Sequence, residues 1–264
     1  MEKSKQLRGE FVFQLLNANT RNEELLYRQA GLIGLDLYQT YMVGVIKLGN
    51  MDKMSTDIDK SILKIISGDL LNWNNKLFTA EEGQEALVAF IPAGLRKNLN
   101  DFITVVNNVL NYHSANNLQA VIGIGRVCNN IYEFKISHQQ AHQALKIGKA
   151  LKLQQQLLIY QELGSYALLS QIDRSDAEET VQTYLGILLE YDSKHRSELV
   201  NSLETFLEQG GNFKNTATFL HVHFNTLRYR LQHIEELTGL DLASPAIRFE
   251  LQIALRLFKL GANG

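Results

Sequence analysis

Residues Phe219 to Leu231 read FLHVHFNTLRYRL. A helix drawn from Phe224 to Thr238 at about 100° per residue puts Leu227, Leu231 and Ile234 on one face and Asn225, Tyr229, Gln232 and Glu236 on the other. Thr226 and Arg228 flank the outer face near its N-terminal end. Arg230 falls closer to the buried side, from which its long stem can lead the guanidinium outward. A shorter helix precedes it, with Ala217 and Leu220 inward, and His221-Val222-His223 makes the turn between them. Short helix, tight turn and longer helix are the parts of a helix-turn-helix, whose second helix enters the major groove with its N-terminal residues first. A His-x-His pair clamps a metal when both side chains share the face of a strand. In a turn, with no third ligand nearby, His221 and His223 do not.

Charge supports a groove-reading helix. No Asp or Glu lies between Glu208 and Glu235, a window that holds Lys214, Arg228, Arg230, His221, His223 and His233. The chain as a whole has a net charge of -2, so nothing global calls for nucleic acid. A phosphate backbone needs only this local sign. Any amphipathic helix has a polar face. The turn spacing and the acid-free window together favour DNA.

Outward from this stretch the pattern is all helical. Residues 176–191 and 195–209 have helical periodicity, and Gly210-Gly211 ends the second. Asn212 can N-cap the short helix, Gly239 stops the long one, and Ser244-Pro245 opens a last helix to about Leu260. Before Asp173 the pattern differs. Thr40–Leu48 reads as a strand, SILKIISGDLL as a helix ending near Gly68, and KLFTAEEGQEALVAFIP as two strands joined at Glu82-Gly83. Residues 95–113 and 129–150 are helical, LQAVIGIG is a buried strand, and QQLLIY is a short one. Gly123-Ile-Gly125 reads as the turn from that strand into the next helix. It lacks the third glycine of a dinucleotide fingerprint, Cys128 standing in that place. Leu7, Phe11, Leu15 and Leu16, with Leu25 and Leu26 after a polar break, make residues 5–30 helical, either packed on the next domain or used in dimer contacts.

Composition bounds the class. At 264 residues and 45% hydrophobic, the chain can hold two cores. One cysteine and two prolines exclude an internal disulfide framework and long Pro-rich linkers. No signal sequence is legible at the N-terminus, and no run approaches the ~18 apolar residues of a membrane span. These features predict a cytoplasmic protein.

From Gly211-Asn212 through Thr216-Ala217, Leu220–His223, Asn225–Leu231 and Ile234–Gly239 to Arg248, Leu251-Gln252 and Ala254-Leu255, the sequence resembles the C-terminal helix-turn-helix of the PucR/CdaR family of transcription regulators. GIGRVCNNIYEFKISHQQAHQALKIG and LIYQELGSYALL are similar to that family's GGDEF-like middle domain. The resemblance implies an α+β chain: an N-terminal helical segment over 1–34, a degenerate GGDEF-like α/β domain over 35–173, and an all-α domain over 174–264 with its helix-turn-helix at about 212–238. It implies that the sensory module usual in front of the middle domain is absent here. One departure is Phe224, where the family often carries a polar or basic residue.

The expected DNA-contacting set is Lys214, His223, Asn225, Thr226, Arg228, Tyr229 and Arg230. Asn225, Thr226 and Tyr229 would probe the groove, and Arg228 would reach a guanine or a phosphate. Lys214, His223 and Arg230 would contact backbone, His223 more strongly when protonated. The expected partners are double-stranded DNA, a second copy of the chain that places half-sites about 34 Å apart, and an effector of unknown identity. The alternative is a ligand-binding or protein-interaction module that uses the helix-turn-helix only as a scaffold.

No cofactor, metal or enzymatic activity is expected. Cyclic-dinucleotide synthesis needs carboxylates that hold divalent metal. The hairpin offers Glu82-Gly83-Gln84-Glu85-Ala86, and the end of the first strand offers Lys47-Leu48-Gly49-Asn50. His138 and His142 share a helix face, but Gln139 replaces the glutamate of a zincin and no third ligand is evident, so they read as a solvated face. Cys128 reads as a small interior residue rather than a thiol sensor.

Overall fold

The computed structural model describes residues 2–17, 23–49, 60–83, 86–113 and 119–261. They form two compact units, Met1–Ala167 and Leu168–Gly264. The fold class is α+β, as the sequence implied.

The first unit runs α1 (Glu2–Asn17), α2 (Glu23–Ile33), β1 (Tyr41–Gly49), α3 (Lys60–Trp73), β2 (Phe78–Glu82), β3 (Ala86–Pro92), α4 (Leu99–His113), β4 (Gln119–Cys128), α5 (Glu133–Ala150) and β5 (Leu157–Ile159). The sheet order is β2-β3-β1-β4-β5, with β4 and β5 parallel and the other neighbours antiparallel. Strand alternation sorts β1 between two cores. Tyr41, Val43 and Val45 pack with residues of α1, α2 and α5, while Met42, Ile46 and Leu48 pack with residues of α3 and α4. Covering both faces explains why β1 and β3 read as continuous apolar runs rather than alternating ones.

Two expectations about the first unit need correction. Gly123 and Gly125 do not turn the chain; they lie inside β4. A Cβ on Gly123 would stand 2.1 Å from the Ala141 carbonyl oxygen, and one on Gly125 would stand 1.9 Å from that of Ser137. The glycines therefore let the backbone of α5 lie directly on β4. The approach is locked by Ser137, which is fully buried. Its hydroxyl accepts from Val43 N–H at 3.1 Å, beside the register shift of β1 against β4, and donates to the Arg126 carbonyl at 2.7 Å. Helix α3 passes through Gly68 to Trp73, because Ile66 and Leu70 bury the same face on either side of it and outweigh the roughly 1 kcal/mol helix penalty of glycine. Cys128 is buried as expected, and burial pushes its thiol up to about 12.

The second unit contains α7 (Arg174–His195), α8 (Leu199–Glu208), α9 (Phe213–Phe219), α10 (Phe224–Thr238) and α11 (Pro245–Gly261); a short helix, α6 (Ser165–Leu169), lies at the division. Helix α8 starts at Leu199 rather than 195, because Arg196 adopts the left-handed conformation (φ 51°) and ends α7. The Asp192 carboxylate then accepts from Leu199 N–H and Val200 N–H, both at 2.9 Å, and so satisfies the first amides of α8. Leu185, Leu188, Leu203, Phe206, Leu227, Leu231, Ile234, Leu251 and Leu255 make one core within this unit. Among the described residues, no helix is long and apolar enough to cross a membrane.

Candidate nucleic-acid interface

The helix-turn-helix is assembled by backbone hydrogen bonds that the sequence announces. Gly210 N–H donates to the Leu207 carbonyl and Gly211 N–H to that of Phe206, which closes α8 with Gly210 left-handed at φ 65°. The Asn212 side chain accepts from Asn215 N–H at 3.0 Å and starts α9. The same closure repeats after α9: His221 N–H donates to Thr218 and Val222 N–H to Ala217, with His221 at φ 54°. His221 therefore occupies a place where glycine or asparagine is the usual residue. Its neighbour His223 is the N-cap of α10, its Nδ1 accepting from Asn225 N–H at 3.2 Å. That bond needs a free lone pair on Nδ1, so the ring caps the helix in its neutral form with the proton on Nε2. Gly239, at φ 69°, ends α10.

Leu227, Leu231 and Ile234 are buried, which fixes the rotation of α10 about its axis. Asn225, Thr226, Arg228 and Tyr229 consequently face solvent, as do Lys214 and His223, and Tyr229 is 70% exposed. Among the described residues, neither Arg228 nor Lys214 has an ion-pair partner, so both charges are available to a ligand. Arg230 is placed differently. Its guanidinium donates to Ser202 Oγ at 3.0 Å and pairs with Glu198 at 3.1 Å, with its side chain only 23% exposed. It ties α10 to α8, since its position on the inner flank puts Ser202 within reach before solvent.

Phe224 remains 44% exposed, but its ring leans on α9. Its ring lies 5.8 Å from that of Phe213, which in turn meets Phe206 edge-on at 5.1 Å. The apolar residue at the entry of α10 thus anchors this helix to α9. A second aromatic series, Tyr229, His233, Tyr191 and His195, runs from α10 to α7, with centroid spacings of 6.0, 4.9 and 4.1 Å. Arg248 on α11 lies over the Phe206 ring and against Gly211, bracing the turn before α9.

A different cluster in the first unit escaped sequence reasoning. His138 and His142 are not a solvated face: both Nε2 atoms contact the Glu82 carboxylate, at 3.0 and 2.8 Å, and lie 3.1 Å from each other. Burial alone would raise the Glu82 carboxyl, but hydrogen bonds and charge from the two histidines outweigh it and hold the group at about 2. One signal for it exists in the sequence. Phe78, Ala80 and Glu82 share a strand face, so the acid ends an otherwise apolar row.

Comparison with known proteins matches residues 199–257 to the PucR C-terminal helix-turn-helix domain and residues 18–147 to the GGDEF-like domain. The DNA-binding transcriptional activator AdeR of Bacillus subtilis is 30% identical over 52% of this chain and 33% of its own length. The proline-responsive transcriptional activator PutR of the same organism is 31% identical over 52% of this chain and 34% of its own. The carbohydrate diacid regulator of Escherichia coli is 25% identical over 95% of this chain and 65% of its own. The matched part thus covers about a third of the first two relatives.

Proposed function

The chain belongs to the PucR/CdaR family, and from that membership we propose that it is a cytoplasmic, sequence-specific DNA-binding transcription regulator acting as a homodimer. The observation that carries this reading is the outward row Asn225, Thr226, Arg228 and Tyr229 on a helix whose opposite face is locked in a core. Asn225, Thr226 and Tyr229 read the groove, and Arg228 takes a guanine edge or a phosphate. Lys214 and the Nε2–H of His223 take backbone oxygens. Arg230 acts indirectly, holding α10 at its angle to α8. One such unit reads few base pairs, so a second copy with a half-site about one turn away, ~34 Å, completes the operator.

A response to a metabolite or partner protein belongs to the same proposal, by analogy with the proline-responsive relative. An open cleft of about 810 Å³, lined in part by Tyr38, Thr40, Asn72, Trp73 and Lys76, has the size for a small molecule. We assign the GGDEF-like unit no cyclase activity. Lys47-Leu48-Gly49 ends β1 without a carboxylate; Asn50, Gln84 and Glu85 lie outside the described residues.

The test is binding of the full chain to duplex DNA across a salt series. The proposal expects log K to fall linearly with log salt, with a slope of about -0.9 per phosphate neutralised. Salt-independent binding, or none with or without candidate metabolites, would support a scaffold role and overturn it.

A further inference from the structure

We propose that Glu82, His138 and His142 form a binding site for one divalent transition-metal ion of the zinc class, which staples the edge of the sheet to α5. Three features of the fold bring the donors together. Strand parity turns Glu82, the last residue of β2, toward the face that carries α5. The i, i+4 spacing on α5 stacks His138 over His142 one turn apart. The buried row Phe134, Ser137, Ala141 and Ala144 fixes α5 against the sheet, so the adjacent histidine row has one orientation.

The three donors converge on one point. An imidazole Nε2 has a single in-plane site, either one proton or one lone pair. Without a metal, each Nε2–H can donate to one Glu82 carboxylate oxygen, at 3.0 Å and 2.8 Å, and the 3.1 Å approach of the two nitrogens is then a contact rather than a third hydrogen bond. A cation at the common point takes both nitrogen lone pairs and the carboxylate at once. Candidate ligand atoms of the three residues all lie within 4.8 Å of one another. A tetrahedral ion with ligands at about 2.0–2.1 Å separates them by roughly 3.3 Å, so small side-chain adjustments suffice.

The donor types choose the ion. Two imidazoles and one carboxylate suit zinc and its neighbours, whereas magnesium and calcium prefer all-oxygen shells. Side-chain exposures of 16%, 29% and 25% leave an entry path and room for a water in the fourth position. Gln139 stands where a zincin has its general base, so the bound metal's task is structural or regulatory rather than hydrolytic. It would fix β2, at the edge of the sheet, to α5, two elements with β3, α4 and β4 between them in sequence.

The test is titration of chelator-treated full-length protein with Zn²⁺ by calorimetry and with Co²⁺ by absorption, followed by X-ray absorption of the zinc form. The expected result is one ion per chain, a higher thermal midpoint with metal, and a spectrum of two imidazoles with oxygen and no sulfur. His138→Ala and His142→Ala should each weaken binding by roughly tenfold or more, and Glu82→Gln should weaken it in the same direction. The absorption spectrum of the wild type needs no variant to fold. Absence of stoichiometric binding, affinity unchanged in both histidine variants, or a coordination shell with sulfur or fewer than two imidazoles would overturn the proposal.

Discussion

His221 shows how a single residue sets the interface. It holds a left-handed conformation (φ 54°) that closes α9 and aims the chain at α10. Left-handed backbone costs a residue with a Cβ about 1–2 kcal/mol, part of which glycine's unfolded-state entropy offsets. His221→Gly should therefore stabilise the second unit by up to ~1 kcal/mol in urea unfolding, with DNA affinity kept; a loss of stability would contradict this assignment. Arg228 makes the opposite case, being solvent-facing and without an ion-pair partner among the described residues. Arg228→Ala should leave stability within about 0.5 kcal/mol. It should weaken DNA binding by about 1–3 kcal/mol if the contact is a base, or reduce the salt slope by about one if it is a phosphate. Titration of the same variant by anisotropy at several salt concentrations separates the two. Cys128, its thiol raised from 9.0 to about 12 by burial, favours the protonated native state. That contribution is present below the unfolded thiol's pKa and is lost as pH rises toward 12. Native protein should accordingly resist iodoacetamide at mildly alkaline pH, and unfolded protein should not, as mass spectrometry would record. The residues that speak through their own backbone chemistry were legible: Asn212 as a cap, Gly239 as a stop, Leu227 and Ile234 as core. Arg230 and Phe224 were not, because their partners Ser202 and Phe213 are set by tertiary packing.

At the scale of elements, the β4–α5 contact carries the first unit. A Cβ at Gly125 would meet the Ser137 backbone oxygen at 1.9 Å, and backbone cannot swing aside as a side chain can. Gly125→Ala should destabilise the protein by about 1–3 kcal/mol or more, measured by denaturant unfolding. A neutral substitution would mean that α5 does not lie as described. The sequence signal here was ambiguous for a physical reason: glycine permits both turns and close approach, and only the neighbouring helix decides between them. The α8 boundary was missed because Asp192, within α7, supplies the cap. By contrast, α9 and α10 carry their caps and stops locally, so their limits could be read almost to the residue. The Glu82 cluster needed strand parity, helix spacing and the packing of α5 at once, and only the first two are written in the sequence.

For the molecule as a whole, two units divide the work. The periodicity change near Asp173 marked a shift from mixed to all-helical structure, and the contact division falls nearby, after Ala167. The second unit has its own closed core from Leu185 to Leu255. We propose that this unit reads DNA and that the first unit supplies regulation or pairing of copies. The claim on which the account turns is that α10 reads base sequence. The direct measurement is selection of duplexes from a random library by the full chain, beside Arg228→Ala, at low and physiological salt. The account predicts that wild type enriches a motif of two half-sites about one turn apart, ~34 Å, and that the variant loses it, flattens it or enriches it more weakly. Enrichment of the same motif with undiminished strength by both proteins at both salts, or of none by either with or without candidate effectors, would contradict it.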